Sequence, residues 1–365
     1  MIPIIQFVLG IAVLVYSAEK LIEYLVGVAS RWVISLFLIA IVFTGIEFDD
    51  LAFGIVLNLE DLSEVALATV IGTTIALTGL VLALAAIIAP GPVDVPKDYL
   101  VLFVAAPVVM FAFALTGALT PVTGVVLVVL FVAFVGWVAY REYAARRPVW
   151  RNAELYERLE KVGGGGTAVA TGAGEGGDVT TGTAGGGVSG FQLPPDVRVD
   201  QGFLKARQHS PGVGLALAVL ALVGMVVGAL IAGEGTDGIL DTFEISGTVF
   251  GITIATLALT LEDILLTVEP SRRGAAEIGI ANVIGSLVFS VTGKLGLILL
   301  VGGVITVGDD VLTWHLPVLV VLTALSAIFL ASGRLRRWHG ILLLALYVVY
   351  FVISLVAFGG VPVDD

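Results

Sequence analysis

The chain has 365 residues, of which 58% are hydrophobic and only 13% charged, and its mean hydropathy is +1.07. Soluble domains are usually about 45–50% apolar and about 25% charged, so an ordinary water-soluble enzyme is excluded. A net charge of −12 argues against nucleic-acid binding, and the absence of cysteine removes disulfides, thiolate metal sites and thiol nucleophiles.

Long apolar runs read as transmembrane helices, and ten follow one another along the chain. The first, 4–26, has no basic leader and runs on into Glu19-Lys20-Leu21-Ile22-Glu23, so it is expected as a membrane helix and not a cleaved signal peptide. The second, 33–57, carries Glu47, Asp49 and Asp50, and the third is 64–89. The fourth and fifth, 99–117 and 121–141, hold no carboxylate. A polar segment, 142–211, interrupts the series; its start over 146–162 could form a short amphipathic helix. From Gly163 to Gly190 it is a Gly/Thr/Ala-rich flexible linker. The sixth span is 212–233, followed by the link Gly233-Glu234-Gly235-Thr236-Asp237. The seventh, 243–268, carries Glu262 and Asp263; the eighth to tenth are 275–305, 311–332 and 339–358.

Basic and acidic links alternate. Arg31, Lys97, the arginines from Arg141 to Arg151, Arg272-Arg273 and Arg334-Leu335-Arg336-Arg337 fall on one side. Glu60-Asp61, Glu234 to Asp237, Asp309-Asp310 and Asp364-Asp365 fall on the other. The positive-inside rule then predicts a multi-pass cell-membrane protein with both termini outside and the 142–211 loop cytoplasmic. Lys294 is the one basic residue away from the cytoplasmic side.

The linker divides the spans five and five. Residues 44–80 align without gaps on 257–293, an offset of 213 that places Asp49-Asp50 on Glu262-Asp263 and Glu64 on Glu277. The same offset places Ala68-Thr69-Val70-Ile71-Gly72-Thr73 on Ala281-Asn282-Val283-Ile284-Gly285-Ser286. Five is an odd number, so the second copy is expected inverted, an arrangement typical of secondary transporters. The expected fold is an all-α membrane protein of ten transmembrane helices as two inverted five-helix repeats: 1–141, the loop 142–211, and 212–365.

An acid near a membrane-helix centre costs about 2.5–3.5 kcal/mol on insertion scales. Five ionised and unpaired would cost on the order of 15 kcal/mol, so Glu47, Asp49, Asp50, Glu262 and Asp263 are expected to face the bundle interior and to act there. Thr253, Thr256, Thr260, Asp263 and Thr267 share one helical face, as do Asn282, Ser286, Ser290 and Lys294, and Thr69 with Thr73. Each hydroxyl alone could merely bond back to its own helix. Beside paired carboxylates they form an oxygen-rich set suited to hard cations such as calcium, and nothing here suits a soft metal.

These residues resemble the cation/calcium exchanger superfamily, whose two inverted repeats read approximately Gly-Thr-Ser-x-Pro-Glu and Gly-Asn-x-x-Gly-Ser-Asn-x-x-Asn/Asp. The matching segments are Gly45-Ile46-Glu47-Phe48-Asp49-Asp50 with Ala68 to Leu77, and Ala258-Leu259-Thr260-Leu261-Glu262-Asp263 with Ala281 to Ser290. The resemblance implies that Asp50 and Asp263 are the principal cation ligands, with Thr260, Thr73, Ser286 and Ser290 at its hydroxyl or amide positions. Glu47 replaces a serine, Leu77 a polar ligand, and Asp49 and Glu262 the helix-breaking prolines. The resemblance thus implies a cation antiporter, not an enzyme, that exchanges calcium for sodium through a midplane site of Glu47, Asp50, Thr73, Thr260, Asp263, Ser286 and Ser290. Asp49, Thr69, Glu262, Asn282 and Lys294 are secondary candidates. Proton coupling is the alternative, because crowded carboxylates raise one another's pKa. An intramembrane aspartyl protease, with Asp50 and Asp263 sharing a proton, is more remote: its Tyr-Asp and Gly-x-Gly-Asp signatures are absent. Inorganic cations and the lipid bilayer are the expected partners, with transported Ca2+, Na+ or H+, no cofactor and no obligate protein partner. Lys294 has three readings: it snorkels to the outer surface, makes a structural ion pair, or serves as a tethered cation in the site.

Overall fold

The computed structural model describes residues 2–29, 47–145, 211–272 and 276–358. Most of the second span, the loop with the amphipathic helix expected over 146–162 and the Gly-rich linker, and the acidic tail lie outside the described residues.

The helices are α1 (Ile2–Ala29), α2 (Phe48–Leu59), α3 (Ser63–Ile88), α4 (Lys97–Ala114), α5 (Pro121–Ala145) and α6 (Pro211–Phe243). Helix α7 begins over Gly247–Phe250, passes a π turn at Gly251–Ala255 and continues over Thr256–Arg272. Helix α8 comprises Ala276–Phe289 and Leu295–Gly302 joined by a π turn at Ser290–Lys294. Helix α9 opens with a π turn at Val311–His315 and runs over Leu316–Ala331, and α10 is Arg337–Phe358. Nine of the described helices are long and apolar enough to cross a membrane. The 12 residues of α2 are too short alone, covering about 18 Å of a hydrocarbon core about 30 Å thick.

Helices α3 and α8 form the centre: 78% and 83% of their spans are buried, against 22% for α5 and α10. The peripheral helices present Val122, Val129, Val352 and Val356 outward, as lipid-facing helices should. Helix α2 packs on α3 and α7 on α8; α5 packs on the end of α8 and α10 on the end of α3; α4 lies against α9 and α1 against α6. Two short antiparallel ribbons add to this. Strand β1 (Gly91–Pro92) pairs with β4 (Arg334–Leu335), and β2 (Ala118–Leu119) with β3 (Ile305–Thr306). Gly117 and Gly333 lead into β2 and β4 at φ of 81° and 74°, a region that disfavours any side chain.

Helix α6 corrects the sequence expectation. The stretch Gly233 to Asp237 was expected to be a link, yet α6 continues through it to Phe243. Glycine is a poor helix former, but here it permits close approach. A Cβ on Gly228 would lie 2.5 Å from Leu14 N, and one on Gly238 2.9 Å from Pro3; Gly235 sits directly on the backbone of Phe7. Tertiary packing against α1 thus overrides local propensity. Ascending α1 from Pro3 to Ser17 meets descending positions of α6, so the two helices run antiparallel.

Candidate cation site

Helix α2 starts inside the acidic motif. Glu47 stands outside the helix at its N-cap, with φ −74° and ψ 83°, and Asp49 and Asp50 fill the first turn. Carboxylates are favoured there by the helix dipole and the free N–H groups. The aligned motif at 257–263 behaves differently: α7 runs unbroken through Glu262 and Asp263.

Released from its own helix, the Glu47 side chain reaches α8. Its Oε2 accepts from Ser290 Oγ at 2.9 Å and from Lys294 Nζ at 2.8 Å. Asp50 Oδ2 accepts from the same Nζ at 2.7 Å, and Thr73 Oγ1 of α3 lies 3.4 Å from it. The ammonium is sealed in: the Lys294 side chain is 1% exposed, Asp50 6% and Glu47 10%. Burial overturns the snorkelling reading of Lys294. Snorkelling requires a head group that reaches water, and this one ends among carboxylates.

The π turn of α8 carries both Ser290 and Lys294, and such turns concentrate at functional sites. On α7 the polar stripe is buried at every position, Thr253, Thr256, Thr260, Asp263 and Thr267. Asp263 Oδ1 accepts from Asn282 Nδ2 of α8 at 3.4 Å. Electrostatic interaction links Asp263 to Glu47, Asp50, Glu262 and Asp49. Glu262 itself is exposed in the bare chain, yet interacts with Asp50, Glu19 and Glu47.

The hydroxyls bond back to their own helices. Thr69 donates to Val65 O at 2.8 Å, Thr73 to Val70 O at 3.3 Å and Thr260 to Thr256 O at 2.6 Å. Each spends its proton on its own helix and keeps oxygen lone pairs to offer a cation. Ser286 Oγ and Glu47 Oε1 are buried with no hydrogen-bond partner among the described residues. Buried polar atoms normally find partners, so these two mark places where a cation or water belongs. Among the described residues no three carboxylate or histidine groups form a closed metal site; the point on which Glu47 and Asp50 converge is taken by the ammonium.

The structure therefore brings Glu47, Asp50, Thr73, Ser290 and Lys294 together, and pairs Asp263 with Asn282 beside them. Sequence reasoning noted Glu64 only as a repeat marker. In the structure it ties α3 to α7: its Oε1 accepts from Thr248 N at 2.8 Å and also from the Thr248 hydroxyl. Its alignment with Glu277 was the available signal.

Fold and site together define a polytopic membrane protein with a buried, oxygen-rich charged cluster at the meeting of α2, α3, α7 and α8. The model of the family described as sodium/calcium exchanger protein matches residues 2–140 and 213–356, and the chain belongs to that family. An uncharacterised membrane protein of Methanocaldococcus jannaschii is 30% identical over 151 residues, 39% of this chain and 46% of that one. The sodium/calcium exchanger MaX1 of Methanosarcina acetivorans is 29% identical over 139 residues, 37% of this chain and 39% of that one. The chain spans less than half the length of these curated relatives. Structures of the sodium-calcium exchanger NCX_Mj superpose with a TM-score of 0.54 at 21% identity over 96% of this chain and 98% of that one, a likeness of fold.

Proposed function

We propose that the protein is a secondary antiporter that exchanges calcium for sodium across the cell membrane. Its cation site is formed by Glu47, Asp50, Thr73, Thr260, Asp263, Ser286 and Ser290, with Asp49, Thr69, Glu262 and Asn282 around it. The observation that carries the proposal is the buried meeting of Glu47 and Asp50 with α8, next to Asp263. Such a concentration of charge inside a membrane bundle is costly unless it serves ion passage. Calcium is cargo here; carboxylate and hydroxyl oxygens are the ligands it takes.

The architecture proposed is ten spans in two inverted repeats, 1–141 and 212–365, joined by a cytoplasmic loop at 142–211, with both termini outside. Three features support it. The π turns Leu77–Val81 and Ser290–Lys294 stand at the same offset of 213 as the motifs. The packing of α5 on α8 is mirrored by that of α10 on α3. Each ribbon joins a loop of one half to a loop of the other, β1 with β4 and β2 with β3.

Calcium uptake into proteoliposomes driven by an outward sodium gradient tests the function; no uptake under any monovalent gradient rejects it. Proton coupling is the second reading, favoured by the density of carboxylates around Asp263. Uptake driven by a pH jump without sodium would select it.

A further inference from the structure

We propose that the Lys294 ammonium is a resident cation of the site, standing where a transported monovalent cation would otherwise sit. Each cycle then moves one monovalent ion fewer than the carboxylates alone could bind. This rests on the exchange reading and deepens it.

The ammonium has the surroundings of a bound ion. Its three protons face three oxygens, Glu47 Oε2 at 2.8 Å, Asp50 Oδ2 at 2.7 Å and Thr73 Oγ1 at 3.4 Å. Carboxylate and hydroxyl oxygens are the donors that a hard cation takes. They come from α2 and α3, while the lysine comes from α8, so the charge enters from across the repeat interface. The shell has capacity to spare. Two carboxylates offer four oxygens against three ammonium protons, and Glu47 Oε1 and Ser286 Oγ are buried with no hydrogen-bond partner among the described residues. The Glu47 carboxylate therefore has one oxygen on the fixed cation and one left for a mobile ion. Ser290, hydrogen-bonded to the engaged oxygen at 2.9 Å, holds that division in place. Being covalently tethered, the ammonium neutralises one carboxylate throughout the cycle and is never released, so the coupling ions carry that much less charge.

The full chain in proteoliposomes tests this, with radioactive calcium uptake read against sodium concentration and against an imposed membrane potential. The variants are Lys294→Ala and the double change Glu47→Gln with Lys294→Ala. In the inserted single variant, the Hill coefficient for sodium is expected to rise by about one and the potential dependence to change by one charge, whatever the change in maximal rate. The double variant removes the carboxylate together with its cation and is expected to return to the wild-type Hill coefficient. Unchanged steepness and potential dependence in the single variant would overturn the proposal. Loss of uptake in the single variant with recovery in the double also overturns it, because that marks a structural ion pair. So does failure of both variants to insert, which assigns the lysine to folding. Absence of uptake in the wild-type chain under every gradient overturns the exchange reading, and this inference with it.

Discussion

A carboxylate in the first turn of α2 is stabilised twice, by the helix dipole and by an ammonium. Asp50 shows both, being in the first turn and 2.7 Å from Lys294 Nζ. Asp263 sits mid-helix with one weak amide contact at 3.4 Å, so it has the greater need of a cation. Hydrogen bonds to charged groups contribute about 1.5–3 kcal/mol and neutral ones about 1 kcal/mol. Loss of a charged ligand thus weakens ion binding by roughly 10- to 100-fold, and loss of a hydroxyl by about fivefold. Asp263→Asn is expected to abolish calcium exchange at ordinary ion concentrations with normal insertion, whereas Thr260→Ala and Ser286→Ala raise the half-saturating calcium concentration several-fold. Full exchange by Asp263→Asn would reject its place in the site. The polar residues themselves were legible in the sequence because acids and spaced hydroxyls in apolar helices have few other uses. The pairing of Lys294 was legible only in part: its positive charge could be set against that of Glu47, but not against Asp50. Its contacts, Glu47 and Asp50, lie more than 240 positions away in sequence, and only the three-dimensional crossing of α2 and α8 selects them from five intramembrane acids.

Among the elements, α1 and α6 stand apart. With 33 residues α6 is about 50 Å long, well beyond a hydrocarbon core of about 30 Å. The two helices touch backbone to backbone along Gly10, Gly228 and Gly235, as Gly-x-x-x-Gly spacing allows. The sequence supplied that spacing but not the extra turns of α6, because a run of glycine and acid reads locally as a link until α1 covers it. We expect such a pair to move as one body across the remaining helices, which two crosslinks would test. Ser17 and Gly224 face each other within the pair, at 3.4 Å between the serine Cβ and a Cβ built on the glycine. A Cβ built on Gly233 would lie 3.2 Å from the Cγ1 methyl of Val56 on α2. The first separation is near the Cβ–Cβ distance of a disulfide, the second is side-chain contact between the two positions, and the chain has no cysteine to interfere. Crosslinking Ser17→Cys with Gly224→Cys is expected to leave calcium exchange largely intact. Crosslinking Val56→Cys with Gly233→Cys should block exchange until reductant is added. Equal rates in the oxidised and reduced forms of the second pair would show that α6 does not move against α2.

At the scale of the molecule, the charge alternation of the links implies an orientation in the membrane that remains a proposal to be tested. The loops joined by β1 and β4 hold Lys97 and Arg334 to Arg337, both expected inside; of those joined by β2 and β3, the first is uncharged and the second leads to Asp309-Asp310, expected outside. Antiparallel packing of α1 on α6 agrees with an odd number of spans per half. Neither ribbon was visible in the sequence, since two-residue strands have no period to detect. Among the described residues, helix packing and the two ribbons join residues 47–145 to residues 211–358, besides the loop between α5 and α6. Loop-closure free energy changes by only about 0.6 kcal/mol per doubling of length, so shortening this loop by roughly half costs little. Deleting 163–190 is expected to leave the calcium uptake rate within about a factor of three of the full chain, with the shortened loop cleaved by protease only from the cytoplasmic face. Cleavage of the intact loop from outside whole cells would reverse the assigned orientation. Loss of uptake in a deletion variant that inserts at full yield would instead give the loop a part in transport, because an inert tether of this composition has no contact whose removal could stop the cycle.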